Sequence, residues 1–223
     1  CTQPNATNYD ETANVDDGSC EYPDSGDYSL SFDGVDDWVI INNDNIVFTE
    51  EEDLTVAFQA RVESDGGYIM TRYENFNASN SNFTIGFNDT NNDGSCTIAI
   101  IGRGDGGANY EIDGINCNEN GTFYVVFDND DEFNVRVYLN SSLIGQTNRS
   151  VNSTPSSEAL YIGRVADNDH PGFFNGSINQ IKTWNAALTL EDIQNIDSYN
   201  EFLSSYYKFN SGSGDILYDH SGN

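Results

Sequence analysis

Positive charge is scarce in this chain: 8 Lys and Arg stand against 37 Asp and Glu, a formal net charge of −29 over 223 residues. A field of that sign repels phosphate backbones and anionic membrane surfaces, which excludes nucleic acid as a partner. It also disfavours sulfated or uronic glycans unless a divalent cation bridges the two surfaces, although salt screens it beyond roughly 3 to 8 Å. Neutral sugars and cation-bridged ligands stay compatible. Dispersed acidity with few lysines is equally what a salt-adapted extracellular protein uses to stay soluble. Histidine occurs only at His170 and His220 and accompanies no strand-turn-helix serine elbow, which excludes a nucleophilic triad. No apolar run approaches membrane-spanning length, and no signal peptide is present, so the chain reads as a mature or excised segment.

Cysteine is limited to four residues, and in an Asn/Thr/Ser-rich chain they read as two disulfides of an oxidising compartment rather than as catalytic thiols. Of the three connectivities, local pairing of Cys1 with Cys20 and of Cys96 with Cys117 is the simplest. The competing expectation for Cys1, acylation as in a processed lipoprotein, would leave Cys20 without its obvious partner. A secreted or cell-surface location follows from either.

Residues 1–27 lack apolar periodicity and cannot bury a core, so they are expected to form a Cys-stapled spacer whose closed ring contributes roughly 3 kcal/mol in the chain-entropy model. Pro23-Asp24-Ser25-Gly26 marks the linker into a main domain over 28–223. There, short alternating runs recur between turns. Leu54, Val56, Phe58, Ala60 and Val62 share one face; Phe83, Ile85 and Phe87 repeat the pattern, as do Phe123, Val125 and Phe127, and then Phe133, Val135, Val137 and Leu139. Asp128 to Asp131 is a polar hairpin turn between the last two. Many short strands with one apolar face predict an all-β sandwich of two antiparallel sheets. One brief helix is expected, capped by Thr189, with Asp192 at the third helical position and Leu190, Ile193 and Ile196 as its apolar stripe.

Two segments give this pattern a family character. Ser29 to Val39 is an alternating strand running into an Asp33-Gly34 turn, and Phe174 to Leu188 is an Asn175-Gly176 turn feeding a strand that ends Trp184-Asn185-Ala186-Ala187-Leu188. With Ala159-Leu160-Tyr161-Ile162-Gly163-Arg164 before them and Asp219-His220-Ser221-Gly222-Asn223 after, they resemble the laminin G-like jelly roll of the concanavalin A-like superfamily. The resemblance covers about Tyr28 to Asn223 and implies a glycan-binding or adhesive module, sometimes an enzyme. The first 27 residues are similar to a Cys-bracketed, Asp/Asn-rich element of secreted bacterial proteins.

The same resemblance implies a calcium ion pinning the first and last strands, and Asp33, Asp36, Asp219 and Asn223 are the expected ligands, with Asp37 in the same cluster and Asn175 as a further candidate. Hard carboxylate and amide oxygens from two chain segments suit that ion. A second candidate is Asp89-Thr90-Asn91-Asn92-Asp93-Gly94, which satisfies the first half of a calcium loop through Asp89, Asn91 and Asp93 but has Ile100 where the bidentate Glu belongs. The competing reading of the first set is turn residues of Asp-Gly and Ser-Gly corners, and of the second a polar hairpin loop that matches by chance in an Asn-rich chain.

For catalysis, Glu111-Ile112-Asp113-Gly114-Ile115-Asn116 resembles the Glu-x-Asp-x-x-Glu strand of laminarinase-type retaining glycosidases. Such hydrolysis needs a second carboxyl about 5 Å from the first, and Asn116 cannot protonate a leaving oxygen. Glu111 and Asp113 are therefore read as loop acids and no catalytic residue is assigned. Sugars stack on rings, so Tyr73, Phe76, Tyr110 and Phe173, with His170 beside them, are the expected ligand contacts, and Tyr68 and Tyr138 are further candidate platforms; Trp38 and Trp184 are expected in the core. The resulting expectation is a non-catalytic, calcium-stabilised module that binds a glycan or a cell-surface protein. The alternatives are a laminarinase-type hydrolase or its inactive descendant, and a structural spacer of an adhesin.

Overall fold

In the first long strand the pleat sends Leu54, Val56, Phe58, Ala60 and Val62 to one side, where all are buried, while Gln59 and Arg61 on the other side keep contact with solvent. The computed structural model describes residues 1–2, 6, 8–15, 20, 28–42, 46, 52–63, 66–72, 83–88, 95–102, 109–116, 120–130, 132, 134–148, 159–165, 172–209 and 217–222. Within them the chain forms β1 (Leu30–Asp33), β2 (Val39–Ile41), β3 (Leu54–Val62), β4 (Gly67–Arg72), β5 (Phe83–Asn88), β6 (Ser95–Gly102), β7 (Asn109–Asn116), β8 (Gly121–Phe127), β9 (Val135–Leu139), β10 (Ser142–Thr147), β11 (Leu160–Ile162), β12 (Asn175–Trp184), helix α1 (Leu190–Gln194), a 3-10 turn at Ile196–Ser198, and β13 (Leu203–Lys208).

These strands pair antiparallel into two sheets. The first runs β1-β12-β3-β8-β9-β10, with β13 also pairing β12; the second runs β2-β11-β4-β5-β6-β7. Because β3 occupies one edge of β12, β1 and β13 share the other edge end to end, with Leu30 opposite Ile178 and Tyr207 opposite Ile181. Non-sequential neighbours such as β1 with β12 and β2 with β11 give the jelly-roll sandwich that the alternating pattern predicts.

Between the sheets, the Phe58 and Phe123 rings stack at 5.2 Å, and Phe87 from the second sheet meets both edge-on. Each fully buried ring contributes roughly 1.5 to 3 kcal/mol of transfer free energy. A second, smaller apolar cluster lies on the outer face of the first sheet, where α1 covers Ala57, Tyr124, Val126, Tyr138 and Trp184 with Leu188 and Ile193. The helix begins as expected: Thr189 Oγ1 accepts from the Asp192 N–H, and the Asp192 carboxylate accepts from the Thr189 N–H. Thr55 fastens the approach to it, donating to Ala186 O at 2.7 Å and accepting from Leu188 N–H at 3.0 Å.

Three expectations change. Glu111 to Asn116 is strand, not loop: β7 pairs with β6, and its Gly114 (φ +79°) and the register break opposite Cys96 to Ile98 disguise it in the sequence. Trp38 is 43 % exposed rather than core, whereas Trp184 is fully buried. Tyr138 is buried beneath α1 and offers no ligand surface.

Cys1 and Cys20 are joined as expected, and a sulfur in that bond is not free for acylation. Cys96 is buried and disulfide-bonded, while Cys117 lies outside the described residues. No helix among the described residues is long and apolar enough to cross a membrane.

Candidate functional site

The turn after β1 is built by its own acids. Asp33 accepts from the Val35 N–H at 2.8 Å, Gly34 takes φ +80°, and the Asp37 carboxylate accepts from the Asp33 N–H at 3.0 Å. This fold-back brings one carboxylate oxygen each of Asp33, Asp36 and Asp37 within 4.8 Å of one another, all on exposed side chains. Asn175, the register partner of Asp33, lies against the turn, 3.1 Å from where a Cβ on Gly34 would stand. Two oxygens on one calcium at 2.3 to 2.6 Å can lie up to about 5 Å apart, so a single hard cation can reach all three carboxylates. Without a cation, three like charges this close repel one another.

Immediately after the turn the chain enters β2, whose Val39 and Ile41 face the core while Trp38 and Ile40 face outward. β2 pairs β11, placing Tyr161 opposite Ile40 and beside Trp38, ring centroids 5.8 Å apart. Arg164 follows β11 at the same edge. Its guanidinium carbon lies 5.3 Å from the Trp38 ring, 5.7 Å from the Tyr161 ring and 5.5 Å from the Phe173 ring.

Backbone geometry holds this group. Gly163 (φ +87°) tucks against the Phe32 ring so closely that a side chain there would collide with it. Gly163 O accepts from the Phe174 N–H at 2.8 Å, Arg164 O accepts from Thr71 Oγ1 at 2.9 Å, and Gly172 O accepts from the Tyr68 N–H at 3.1 Å. A guanidinium ringed by aromatic faces is held by cation–π attraction worth roughly 0.5 to 2 kcal/mol per ring, and its Nε donates to Val165 O at 2.8 Å. The result is a half-exposed aromatic platform with a fixed donor at its centre, bordered by a carboxylate turn.

Of the residues expected from the sequence, Phe173, Asp33 and Asp36 come together here. Asp219 does not: it bridges to Tyr207, and its carboxylate accepts from the Tyr206 and Ser221 N–H groups at 2.9 and 2.8 Å. Tyr207 and Asp33 pair with β12 residues six positions apart, roughly 20 Å along the strand, so the end-to-end arrangement of β1 and β13 separates the two acids. Tyr110 sits on β7, at the opposite edge of the second sheet from β2, and packs against the core; burial raises its phenol pKa. Tyr73, Phe76, His170, Asn223, Asp89, Asn91 and Asp93 lie outside the described residues.

Trp38, Tyr161 and Arg164 were not expected as site residues. The run Trp38-Val39-Ile40-Ile41 is apolar on both faces, so alternation cannot tell which side turns inward; Tyr161, between buried Leu160 and Ile162, was the legible one. On β7, Glu111 and Asp113 share the outward face, but Asp113 is engaged by Thr97 Oγ1 at 2.6 Å and Asn116 is no acid.

A family model described as the concanavalin A-like lectin/glucanases superfamily matches residues 33–194. No curated protein sequence matches the chain. Among solved structures, the fold is similar to that of a candidate carbohydrate-binding protein from Bacteroides ovatus, at 17% identity and a TM-score of 0.63 over 87% of this chain and 55% of that one. The chain thus spans about half the length of that protein. It is also similar to a heptameric SAP-like pentraxin from Limulus polyphemus, at 19% identity and a TM-score of 0.58 over 85% and 93% of the two chains. A third likeness is to the CBM40 of a Ruminococcus gnavus IT-sialidase, bound to α2,3-sialyllactose, at 11% identity and a TM-score of 0.52 over 72% and 96%. At these identities the likeness is one of fold.

Proposed function

The chain belongs to the concanavalin A-like lectin/glucanases superfamily, and from that premise we propose that it is a non-catalytic extracellular module that binds a glycan on the platform of Trp38, Tyr161, Phe173 and Arg164. The observation that carries this reading is the Arg164 guanidinium within 5.7 Å of three rings, beside an indole that is 43 % exposed. An apolar sugar face stacks on the exposed indole, which Arg164 and Tyr161 hold in place, the kind of fixed aromatic surface on which saccharide sites depend. The likeness to the Bacteroides candidate carbohydrate-binding protein and to the sialyllactose-bound Ruminococcus CBM40 supports the same class of ligand.

Calcium is assigned in this reading to Asp33, Asp36 and Asp37, with Asn175 as a neutral oxygen donor. Hard-oxygen chemistry and the 4.8 Å spacing fit that ion. It would neutralise the turn next to Trp38 and fix β1 against β12, a structural role. Hydrolysis is disfavoured because the position that carries the second carboxyl in the glycosidase strand is Asn116, which cannot protonate a leaving oxygen. The Cys1–Cys20 bond supports an oxidising, extracellular setting.

The test is a glycan array on wild type and Trp38→Ala, with and without chelator. Binding to a defined set of glycans that Trp38→Ala loses supports the reading. Neutral-glycan binding unchanged by that substitution, or hydrolysis of β-glucans abolished by Glu111→Gln, overturns it.

A further inference from the structure

The chain contains two lysines, and both flank one ring. Lys182 on β12 and Tyr206 on β13 are register partners, and Lys208 lies two residues along β13 on the same face; their ammonium nitrogens are 4.5 and 5.0 Å from the Tyr206 ring centroid. His220 meets the same ring edge-on at 6.1 Å, and the Tyr206 hydroxyl donates to Gln180 Oε1 at 3.1 Å. Gln59, opposite Gln180 on β3, extends this polar block across the outer face of the first sheet. The platform around Arg164 is on the outer face of the second sheet, so the two lie on opposite sides of the sandwich.

Three features separate this block from an ordinary solvated surface. Both lysines are half-buried, yet among the described residues neither forms an ion pair. Burial lowers the Lys182 pKa, and the attraction of Asp197, the exposed carboxylate at the margin, does not offset it. At a net charge of −29, a local concentration of cations is where an anion can approach, since salt confines the surrounding field to about 8 Å. A partly desolvated ammonium whose neighbouring carboxylate does not offset its burial gains when an oxyanion arrives.

We propose that Lys182, Lys208, Tyr206, Gln180 and His220 form a second ligand site, one that takes the carboxylate or sulfate group of an acidic saccharide. The ammonium groups hold the oxyanion, and the Gln180 amide and the His220 ring border it through their contacts with Tyr206. A saccharide is favoured over an acidic peptide because the block is a single pair of charges around one ring and two amides, matched to one charged sugar rather than to a run of carboxylates. This site exempts acidic glycans from the repulsion that the net charge otherwise imposes, and it gives the module two binding faces.

Isothermal titration with trigalacturonate, its methyl ester, a sulfated galactan oligosaccharide and poly-glutamate tests it, using the whole chain at about 0.15 M salt. The expected result is binding of the uronate or the sulfated sugar, binding of the ester weaker by tenfold or more, a loss of tenfold or more in Lys208→Gln and Lys182→Gln, and recovery in Lys208→Arg. Unaltered thermal melting of the Lys208→Gln variant separates lost binding from lost folding. Uronate binding that Trp38→Ala removes and Lys208→Gln leaves intact overturns the proposal, as does absence of binding by either sugar. Poly-glutamate binding with the same lysine dependence assigns the patch to a protein partner and likewise overturns it. Neutral-glycan binding at Trp38 is read separately, so failure here leaves that result standing.

Discussion

Arg164 stands 5.3 Å from the ring of Trp38, and this pairing converts an exposed indole from a liability into a fixed surface. The guanidinium is itself anchored, its Nε donating to Val165 O at 2.8 Å, so the indole packs against an immobile group instead of water. The other tryptophan has the opposite surroundings: Trp184 is fully buried under α1. The two therefore separate binding from stability.

Trp38→Ala is expected to weaken glycan binding at least tenfold while costing about 1 kcal/mol of stability, the size of its ring contact with Arg164. Trp184→Ala is expected to cost about 3 to 5 kcal/mol, lowering Tm by roughly 10 °C. Trp184→Phe should cost far less, because the buried indole N–H has no hydrogen-bond partner to lose among the described residues. Calorimetry of the three variants checks the ranking.

Calcium should raise Tm through the Asp33 turn. At an ion concentration 100 times Kd the linkage amounts to about 2.7 kcal/mol, several degrees for a chain of this size. Asp36→Asn is expected to remove that rise while leaving the calcium-free Tm equal or slightly higher, because one of three converging charges is gone. A calcium response preserved in this variant would place the ion elsewhere.

The pH dependence of stability should carry a mark of His220. Its pKa is lowered below 6.5, chiefly because burial penalises the imidazolium and secondly because Lys208 repels it, with Asp219 opposing. The unfolded chain thus takes up this proton near 6.5 and the folded chain only at lower pH. The contribution is present above about pH 6.5 and is lost as pH falls through the folded value. Melting curves from pH 7.5 to 5 should be flatter in His220→Gln than in wild type.

Removing residues 1–27 should shift the melting of the sandwich by no more than about 2 °C, since the Cys1–Cys20 ring confines its roughly 3 kcal/mol to that element. A larger drop in the 28–223 fragment would show that the element is part of the core.

How far the sequence could be read depends on where side chains alternate cleanly. β3, β5, β8 and β9 announce themselves because Phe58, Ile85, Val125 and Val137 each sit between partners of opposite face, and the α1 capping box is spelled by Thr189 and Asp192. β7 and β10 were hidden: Gly114 and Gly145 interrupt the apolar pattern, and at Gly145 the gap is filled from the other sheet by Ile112 and Tyr110. The carboxylate turn was legible because local hydrogen bonds among Asp33, Val35 and Asp37 are encoded within five residues. Its expected partner Asp219 was not, since the placement of β13 beyond the end of β1 is a property of the whole sheet. The platform joins residues 38, 161, 164 and 173, which the β2–β11 pairing and the Phe174–Gly163 hydrogen bond bring together.

The most direct measurement follows the two indole N–H resonances by nitrogen-15 NMR, assigned with Trp38→Phe, while a glycan identified on the array is added. The account predicts that the Trp38 signal moves with saturation and the Trp184 signal stays fixed. A still Trp38 signal, with shifts gathered instead around Glu111 and Asp113 on β7, would contradict it.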